Sequence, residues 1–495
     1  MDEITRREMV ALTGAAMLLP GQAIAQSMEG KFSWKALTAR AQALSRAPYR
    51  AVAHFPGADK VDYDALHKAQ FKADRTLWND IAGDVGIRLW PVHGAAQEPV
   101  DIHIVENGQS RRIDYDPAMF DMTPDNPVAQ LGANAGFSGF RVMNAVRDAD
   151  WLVFMGASYF RAAGAEKQYG LSARAITIDT GVGDEQFPRF TAFWLERTGA
   201  HALTVYALLD GQSIAGAYRF DCSLDGRGVH QDVQAALFPR TAIRELGLMP
   251  MTSMFWYDQA HHQLATDWRP EIHDSDGLLI RREDGSAKLR PLVNPKAATV
   301  SPFAERNPNG FGLIQRDRDF DHYQDDGVFY HRRPCLWATP SKPLGDGAVR
   351  LYEFPTDSEY TDNVACYWTP AKVPPVGHRL DVAYRLDWES APPPPPTTLG
   401  FVENLWRGRG EGGPNSVKLV VDFAGLTDTA GLSATATVTD GTLVKSAAYP
   451  VLGRSGVWRT VVDVIPADGR PAGVQLALMR GEAMVTELLN YPLAL

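Results

Sequence analysis

Five consecutive prolines, Pro392 to Pro396 in the stretch "ESAPPPPPTTLG", divide the chain. Proline fixes one backbone dihedral and has no amide hydrogen, so such a run favours a stiff polyproline II spacer and cannot continue a helix or a central strand. With residues 390–400 as a linker, residues 26–389 form one unit, called the body, and residues 401–495 form a second, called the tail. The chain is long enough for two domains, each with its own core.

Short β-branched runs bounded by Gly, Pro and Asp fill the tail: "SVKLVVDFAG", "LSATATVTDG", "VWRTVVDVIP" and "GVQLALMRG". The pattern is typical of a small immunoglobulin-like β-sandwich, and the tail has no cysteine for an internal disulfide. In the body, Asn107-Gly108 within "VDIHIVENGQSRRIDYD" predicts a β-hairpin. The runs "ALTVYALLD" and "IAGAYRFDCSLDG" predict another strand pair.

Helical patterns are sparse in the body. The stretch "SWKALTARAQAL" places Trp34, Leu37, Ala41 and Leu44 on one helical face, and "GVHQDVQAALFP" is a second candidate helix. The sequence therefore predicts an all-β fold, with a large β-sandwich that carries a few helices and a small β-sandwich after it.

Residues 1–25 have the features of an export signal. Paired arginines at Arg6 and Arg7 precede an apolar run from Val10 to Leu19 and a small-residue cleavage site at Ala23-Ile24-Ala25. This pattern indicates a cleaved twin-arginine (Tat) signal, and an ordinary secretory signal is the alternative; both lead to the periplasm. No later run reaches the ~20 apolar residues of a membrane span.

The net charge of −10 argues against nucleic acid or anionic lipid as the main partner. Cys222, Cys335 and Cys366 are too few for a disulfide framework, so we expect buried free thiols, with a Cys335–Cys366 bridge as the alternative. Neither a phosphate-binding loop nor a GxSxG nucleophile motif occurs, and no cofactor is expected.

Aromatic, acidic and basic residues alternate at short range between residues 251 and 370. Sugar clefts need this mixture, because sugar rings stack on aromatic faces while hydroxyls bind charged groups; loops and core aromatics are the alternative explanation. Within this region, "WRPEIHDSDGLL" would point Asp274 and Asp276 the same way if it is extended. Two acids suit glycoside hydrolysis, in which one protonates the leaving oxygen and the other activates water.

A metal site is not expected. Asp317, Asp319 and Asp321 in "DRDFDH" are spaced like the start of a calcium loop, but His322 and Val328 stand where such a loop needs glycine and glutamate.

Several long motifs resemble the periplasmic glucan biosynthesis family OpgG/OpgD, also called MdoG/MdoD. The motifs are "GASYFRA", "GAYRF", "TSMFWY", "RPEIHDSDGL", "GFGLIQRDRDFDHYQD", "RRPCLW" and "TDNVACYW". The twin-arginine signal is more similar to the OpgD branch. The resemblance implies a galactose-mutarotase-like β-sandwich joined to an immunoglobulin-like one, and a role in making osmoregulated periplasmic glucans with a β-1,2-linked backbone.

The resemblance also implies site residues. Asp274, in "HDSD", matches the general base of an inverting mechanism, and Asp362, in "TDN", matches the general acid; an Asx turn is the structural alternative for Asp362. A general acid needs a raised pKa, from burial or from a carboxylate such as Glu359. Candidate substrate contacts, each with core packing or a turn as the alternative, are Tyr159, Arg161, Trp256, Tyr257, Trp268, Arg269, Asp276, Tyr323, Glu359 and Trp368.

Three functions remain open from the sequence. The favoured one is an inverting β-1,2-glucan hydrolase or transglycosylase that acts on the glucan backbone. The second is a non-catalytic glucan-binding partner of the inner-membrane glucan synthase. The third is a related carbohydrate enzyme, such as a mutarotase or a hydrolase of another glycan.

Overall fold

The computed structural model describes residues 29–79, 85–394, 399–468, 470 and 472–493. The predicted export signal and the last two prolines of the linker lie outside these residues. The α-helices are α1 Trp34–Ser45, α2 Tyr63–Lys68, α3 Pro127–Gln130 and α4 Phe320–Tyr323. Short 3-10 helices lie at Ala58–Lys60, Ala73–Arg75, Pro117–Met119, His262–Leu264 and Tyr330–Arg332.

Strands make up most of the ordered structure. In the first half of the body they are β1 Gly30–Lys31, β2 Gln70–Phe71, β3 Gly86–Pro91, β4 Asp101–Glu106, β5 Gln109–Arg112, β6 Phe120–Asp121, β7 Phe137–Met143, β8 Asp150–Met155, β9 Tyr159–Ala162, β10 Ser172–Arg174, β11 Ile176–Ile178, β12 Arg189–Gly199, β13 Ala202–Asp210 and β14 Ile214–Leu224. The second half has β15 Gly228–Pro239, β16 Leu246–Ser253, β17 Phe255–Tyr257, β18 Ile272–His273, β19 Gly277–Arg281, β20 Ala287–Pro291, β21 Thr299–Arg306, β22 Gly310–Ile314, β23 Cys335–Pro340, β24 Asp346–Glu353, β25 Val364–Pro370 and β26 Leu380–Glu389. The tail has β27 Phe401–Arg409, β28 Val417–Ala424, β29 Leu432–Thr439, β30 Gly441–Pro450, β31 Trp458–Pro466, β32 Gly473–Arg480, β33 Ala483–Met484 and β34 Leu488–Pro492.

Two large sheets pack face to face in the body and confirm the predicted all-β sandwich. The first follows the order β1-β5-β4-β12-β13-β14-β15-β26-β23-β22-β19-β20-β34-β32-β29, and the second follows β21-β24-β25-β16-β10-β9-β8-β7-β3. Interlocked aromatic rings fill the space between them: Phe220 contacts Phe154 and Phe160 with ring centroids 5.1 Å apart in each pair. Side chains that alternate along each strand supply this core, because successive residues point to opposite faces of a sheet.

The two strand pairs predicted in the body are both present. Glu106 pairs with Gln109, which leaves Asn107 and Gly108 as a two-residue turn. Both turn residues have positive φ, as a type I′ turn requires. Strands β13 and β14 pair along their whole length, from Ala202–Ser223 to Asp210–Ala215.

One of the two predicted helices is confirmed. Ser33 caps the start of α1 by accepting a hydrogen bond from the Ala36 amide at 3.2 Å, and Leu37 and Ala41 are buried against the outer face of the first sheet. The second prediction is wrong, because "GVHQDVQAALFP" is strand β15. Its two faces contact two different cores, with Val233 against the second sheet and Phe238 against α1.

The tail is a small β-sandwich that shares a sheet with the body. One of its sheets has the order β27-β28-β31-β30, while β34, β32 and β29 continue the first sheet of the body. The junction is a parallel pairing of β34 with β20, in which Lys288 lies opposite Leu488. The tail core consequently includes body side chains such as Leu289 and Trp337.

The three cysteines are free and buried, as predicted, and no Cys335–Cys366 bridge forms. Cys335 belongs to the tail core and Cys366 to the body core. Among the described residues, no helix has both the length and the apolar character that crossing a bilayer requires.

Candidate active site

The outer face of the second sheet carries large polar and aromatic side chains. Residues on β3 and β7 to β10 alternate between the core and this face, so that Phe160 is in the core while its neighbours Tyr159 and Arg161 point outward. A cavity of about 410 Å³ lies on this face. Its walls include Trp90, Tyr159, Arg161 and Arg174 from the sheet and Tyr63 from α2.

Asp362 lies beside this face, in the loop that leads into β25. Its carboxylate accepts a hydrogen bond from the Thr252 hydroxyl on β16 at 3.3 Å. Asp362 is exposed to solvent, yet many protein atoms lie around its carboxyl, and the resulting desolvation raises the pKa of this group. The Thr252 hydrogen bond and the guanidinium groups of Arg161, Arg174 and Arg333 oppose the increase, but burial is the larger effect.

Asp274 lies in the bend between β18 and β19, with its carboxylate almost fully buried. The guanidinium of Arg333 forms an ion pair with it. Arg333 also stacks on the ring of Tyr330, with 4.1 Å from its guanidinium carbon to the ring centroid. Burial lowers the pKa of Arg333 to about 10, while the charges of Glu359 and Asp362 act in the opposite direction. Arg333 therefore interacts with both predicted catalytic acids.

A single segment, residues 252–255, holds both acid-bearing loops. Thr252 binds Asp362, and the next hydroxyl, that of Ser253, bonds the Ser275 hydroxyl at 2.8 Å. The Asp274 amide donates to the Met254 carbonyl at 2.8 Å. On the other side, the amide side chain of Asn363 bonds both backbone groups of Phe255, at 2.8 and 3.0 Å. The fold thus brings together two carboxylates that are far apart in the sequence.

A network of ion pairs centred on Arg269 lies near Arg333 and Tyr330. Arg269 binds Glu359 through two parallel hydrogen bonds of 3.0 Å, and it also binds Asp325 at 2.7 Å and Asp267 at 2.9 Å. The Tyr330 hydroxyl donates to Glu359 at 2.5 Å. Hydrogen bonds from Arg269, the largest effect, lower the pKa of Glu359. Glu359 is therefore an ionised partner that anchors Arg269 and Tyr330. Of the two causes expected for a raised Asp362 pKa, burial is the one that acts, and the Glu359 carboxylate is not.

Exposed aromatic rings flank this network. Trp268 is 72% exposed and Tyr360 is 91% exposed, and they directly adjoin the paired residues Arg269 and Glu359. Trp256 is partly buried against Tyr257. Both Trp268 and Tyr360 therefore expose aromatic rings beside the Arg269–Glu359 pair, and Tyr360 is an addition to the residues expected from the sequence.

Three of the expected substrate contacts are core residues instead. Tyr257, Tyr323 and Trp368 are fully buried. The Tyr257 hydroxyl donates to the Arg269 carbonyl at 3.1 Å, and the Tyr323 hydroxyl accepts from Gln315 at 3.0 Å. Trp368 belongs to the core between the body sheets. Their aromatic character serves packing, so we assign none of them to substrate binding.

Asp276 does not point to the same place as Asp274, because residues 274–276 bend instead of forming a strand. The Asp276 carboxylate accepts hydrogen bonds from the amides of Arg316 at 2.5 Å and Asp317 at 3.1 Å. It lines a separate cavity of about 60 Å³ near the tail, together with Glu271 and His273. Its contacts are those of a loop anchor.

Two groups of side chains place potential metal ligands within 4.8 Å of one another: Glu271 with Asp317 and His322, and His230 with Asp387 and Glu389. In each group the histidine Nδ1 already binds a carboxylate, at 2.6 Å in the first and 2.7 Å in the second. The Asp319 carboxylate caps α4 by accepting from the Asp321 amide at 3.0 Å. We assign no metal to either group.

Several residues of the site had no signal of their own in the sequence. Thr252, Arg333 and Asn363 stand inside the motifs "TSMFWY", "RRPCLW" and "TDNVACYW", but their roles depend on contacts between strands distant in sequence. Arg174 lies outside every motif. Its position opposite Tyr159 in the β9–β10 pair places it on the cavity wall.

Comparison with known proteins connects this geometry to a family. Residues 32–493 match the family described as "Periplasmic glucan biosynthesis protein, MdoG". "Glucans biosynthesis protein D 1" of Ralstonia nicotianae is 42% identical, over 92% of this chain and 90% of the relative. "Glucans biosynthesis protein D" of Stenotrophomonas maltophilia is 39% identical, over 93% and 89%.

Among solved structures, a galactose mutarotase related enzyme from Lactobacillus acidophilus matches 53% of this chain and 94% of its own, with 9% identity and a TM-score of 0.22. A polysaccharide lyase matches 72% of this chain and 44% of its own, with 11% identity and a TM-score of 0.20. The family match and the two relatives cover nearly the whole chain, from α1 to the last strand of the tail, and the chain belongs to the periplasmic glucan biosynthesis protein family MdoG, with a role in glucan biosynthesis.

Proposed function

We propose that this protein cleaves or transfers the β-1,2-linked backbone of osmoregulated periplasmic glucans with inversion at the anomeric carbon. Asp362 is the general acid and Asp274 the general base in this proposal. The protein works in the periplasm after export through its twin-arginine signal. Family membership supports the glucan role, and the paired carboxylates support the chemistry.

The different environments of the two acids carry the proposal. A general acid must hold its proton near neutral pH, and burial raises the pKa of Asp362 in the required direction. The base must be ionised, and the Arg333 guanidinium binds Asp274 as a carboxylate. A carboxyl whose pKa is raised, near a second carboxyl that is paired with a guanidinium, is a usual arrangement for an acid and a base in one site.

The surroundings suit a polar polymer built of rings. Tyr159 and Arg161 line the cavity beside Asp362, and Trp268 and Tyr360 expose aromatic rings beside the Arg269–Glu359 pair. Aromatic faces stack on the apolar faces of sugar rings, while guanidinium groups bind hydroxyls. A linear glucan laid across the outer face of the second sheet would contact both kinds of group.

The test is incubation of the protein with linear β-1,2-glucan, following new reducing ends and product sizes. New reducing ends that disappear in both Asp274→Asn and Asp362→Asn, but persist in the surface control Asp346→Asn, would support hydrolysis. Size changes without new ends would support transglycosylation. Equal activity on β-1,3- and β-1,4-glucans would contradict the linkage, and no turnover by the folded protein would contradict catalysis.

A second candidate, the non-catalytic partner of the inner-membrane glucan synthase, is favoured by one feature of the tail. Strand β30 is at the edge of its sheet and exposes Leu443, Val444 and Tyr449. An exposed apolar edge is a common site of strand addition by another protein. On this alternative, Asp274→Asn would leave glucan production in cells unchanged, whereas Val444→Lys would reduce it.

A further inference from the structure

Two hydroxyl side chains form a hydrogen-bonded chain behind Asp362. Ser172 on β10 lies directly opposite Thr252 on β16 in the strand register, and their hydroxyls bond to each other. The Thr252 hydroxyl donates to Oδ2 of Asp362 at 3.3 Å. The chain leads from strand β10 across strand β16 to the carboxyl group.

The direction of the protons along this chain is fixed by counting donors. A hydroxyl carries one hydrogen, so a Thr252 that donates to Asp362 must accept from Ser172. Ser172 has then used its own hydrogen in the bond to Thr252. Every donor along the chain therefore points toward Asp362, and bonds aligned in this way polarise and strengthen one another.

We propose that Ser172 and Thr252 are positioning residues that keep the proton of Asp362 on Oδ1. This inference deepens the proposed function and rests on it. Oδ2 is occupied as an acceptor from Thr252, so the carboxyl proton resides on Oδ1, which is left free to face the glycosidic oxygen. In the reaction, the Oδ1–H bond breaks and the glycosidic oxygen takes the proton as its bond to the anomeric carbon breaks. A water or sugar hydroxyl that gives its proton to Asp274 bonds to that carbon, and Asp362 becomes a carboxylate. Its Oδ2 keeps the Thr252 hydrogen bond throughout.

The arrangement has two effects that a simple packing role lacks. It orients the proton, which raises the rate of the chemical step. It also stabilises the carboxylate, because the Thr252 hydrogen bond acts to lower the pKa of Asp362 against the effect of burial. Removal of the hydroxyl should therefore slow turnover while moving the alkaline limb of the pH–rate profile to higher pH.

The experiment compares Thr252→Val, which removes the hydroxyl and keeps the shape, with Thr252→Ser, which keeps the hydroxyl. We expect Thr252→Val to lower kcat about 10-fold or more, within the range of general acid catalysis, with little change in KM. The alkaline limb of its pH–rate profile should move to higher pH. Thr252→Ser should restore the rate and the limb, and Thr299→Val, on the exposed strand β21, should behave as wild type. A limb that stays in place in Thr252→Val, or a failure of Thr252→Ser to restore it, would overturn the inference.

A second readout separates this inference from the proposed function. The protein is labelled with ¹³C at aspartate carboxyls, and the Asp362 signal is identified by its loss in Asp362→Asn. Its titration midpoint should be higher in Thr252→Val than in wild type even if no glucan is cleaved. Wild type that titrates as expected but releases no product would contradict the proposed function alone; equal midpoints in wild type and Thr252→Val would contradict the hydroxyl chain.

Discussion

Replacement of Asn363 by alanine should damage both stability and catalysis, because this buried side chain joins the two acid-bearing loops. Its amide makes three hydrogen bonds: it accepts from the Phe255 amide at 2.8 Å and donates to the carbonyls of Phe255 at 3.0 Å and Phe354 at 2.9 Å. Alanine cannot replace them, and a buried backbone group left without a partner costs about 1–3 kcal/mol. Since some groups will find new partners, we expect Asn363→Ala to lower the free energy of unfolding by about 2–4 kcal/mol.

Urea unfolding followed by tryptophan fluorescence measures this change. With a denaturant slope of about 3 kcal/mol per M, the midpoint should fall by about 1 M. The matched control is Asn309→Ala, at an exposed position where the side chain donates to the Arg282 carbonyl at 2.7 Å. In the glucan assay, Asn363→Ala should also lose about 10-fold or more in kcat, since Asp362 is its neighbour. Equal midpoints for Asn363→Ala and Asn309→Ala would refute the assigned anchoring role.

Other expected outcomes test other parts of the structure. Trp268→Ala should weaken glucan binding in calorimetry with a stability change within about 0.5 kcal/mol, whereas Trp368→Ala should cost about 3–5 kcal/mol of stability, because the first ring is exposed and the second is buried. The hydrogen bond to Asp387 raises the pKa of His230 above its ordinary 6.5. Protonated His230 therefore stabilises the folded protein fully below pH 6.5, and this stabilisation is lost as the pH rises through the raised pKa. Urea midpoints measured across that range should fall, and His230→Gln should flatten the dependence. Glu487→Ala removes the ion-pair partner of the largely buried Arg316 guanidinium in the body. The change should lower the free energy of unfolding by about 3 kcal/mol and make proteolysis of the tail faster.

Local patterns in the sequence predicted local structure well. Helix α1 has its apolar spacing and its capping Ser33 within one short stretch, and the Asn107-Gly108 turn carries its conformational requirement in two residues. Strand β15 was mistaken for a helix because both of its faces are buried, so its apolar residues do not alternate with polar ones. The pairing of β34 with β20 had no local signal at all.

In the site, too, features set by local sequence could be predicted, and features set by contacts between distant residues could not. Asp274 and Asp362 came from the resemblance to a family, since neither has a local pattern that separates catalysis from a turn. The expectation that Asp274 and Asp276 share a face failed because it assumed a strand where the chain bends. Thr252 and Arg333 contribute through contacts with residues many positions away, which spacing along the chain cannot reveal.

The parallel pairing of β34 with β20 affects how the chain reaches its native state. Lys288 must find Leu488, about 200 positions later, before the edge of the body sheet is closed. Until the last strand has been synthesised, β20 presents an open edge and Leu289 lacks its cover. Contacts so distant in sequence slow folding and prolong exposure to aggregation. The body is therefore expected to remain unfinished on the ribosome, and the final residues of the chain complete its sheet.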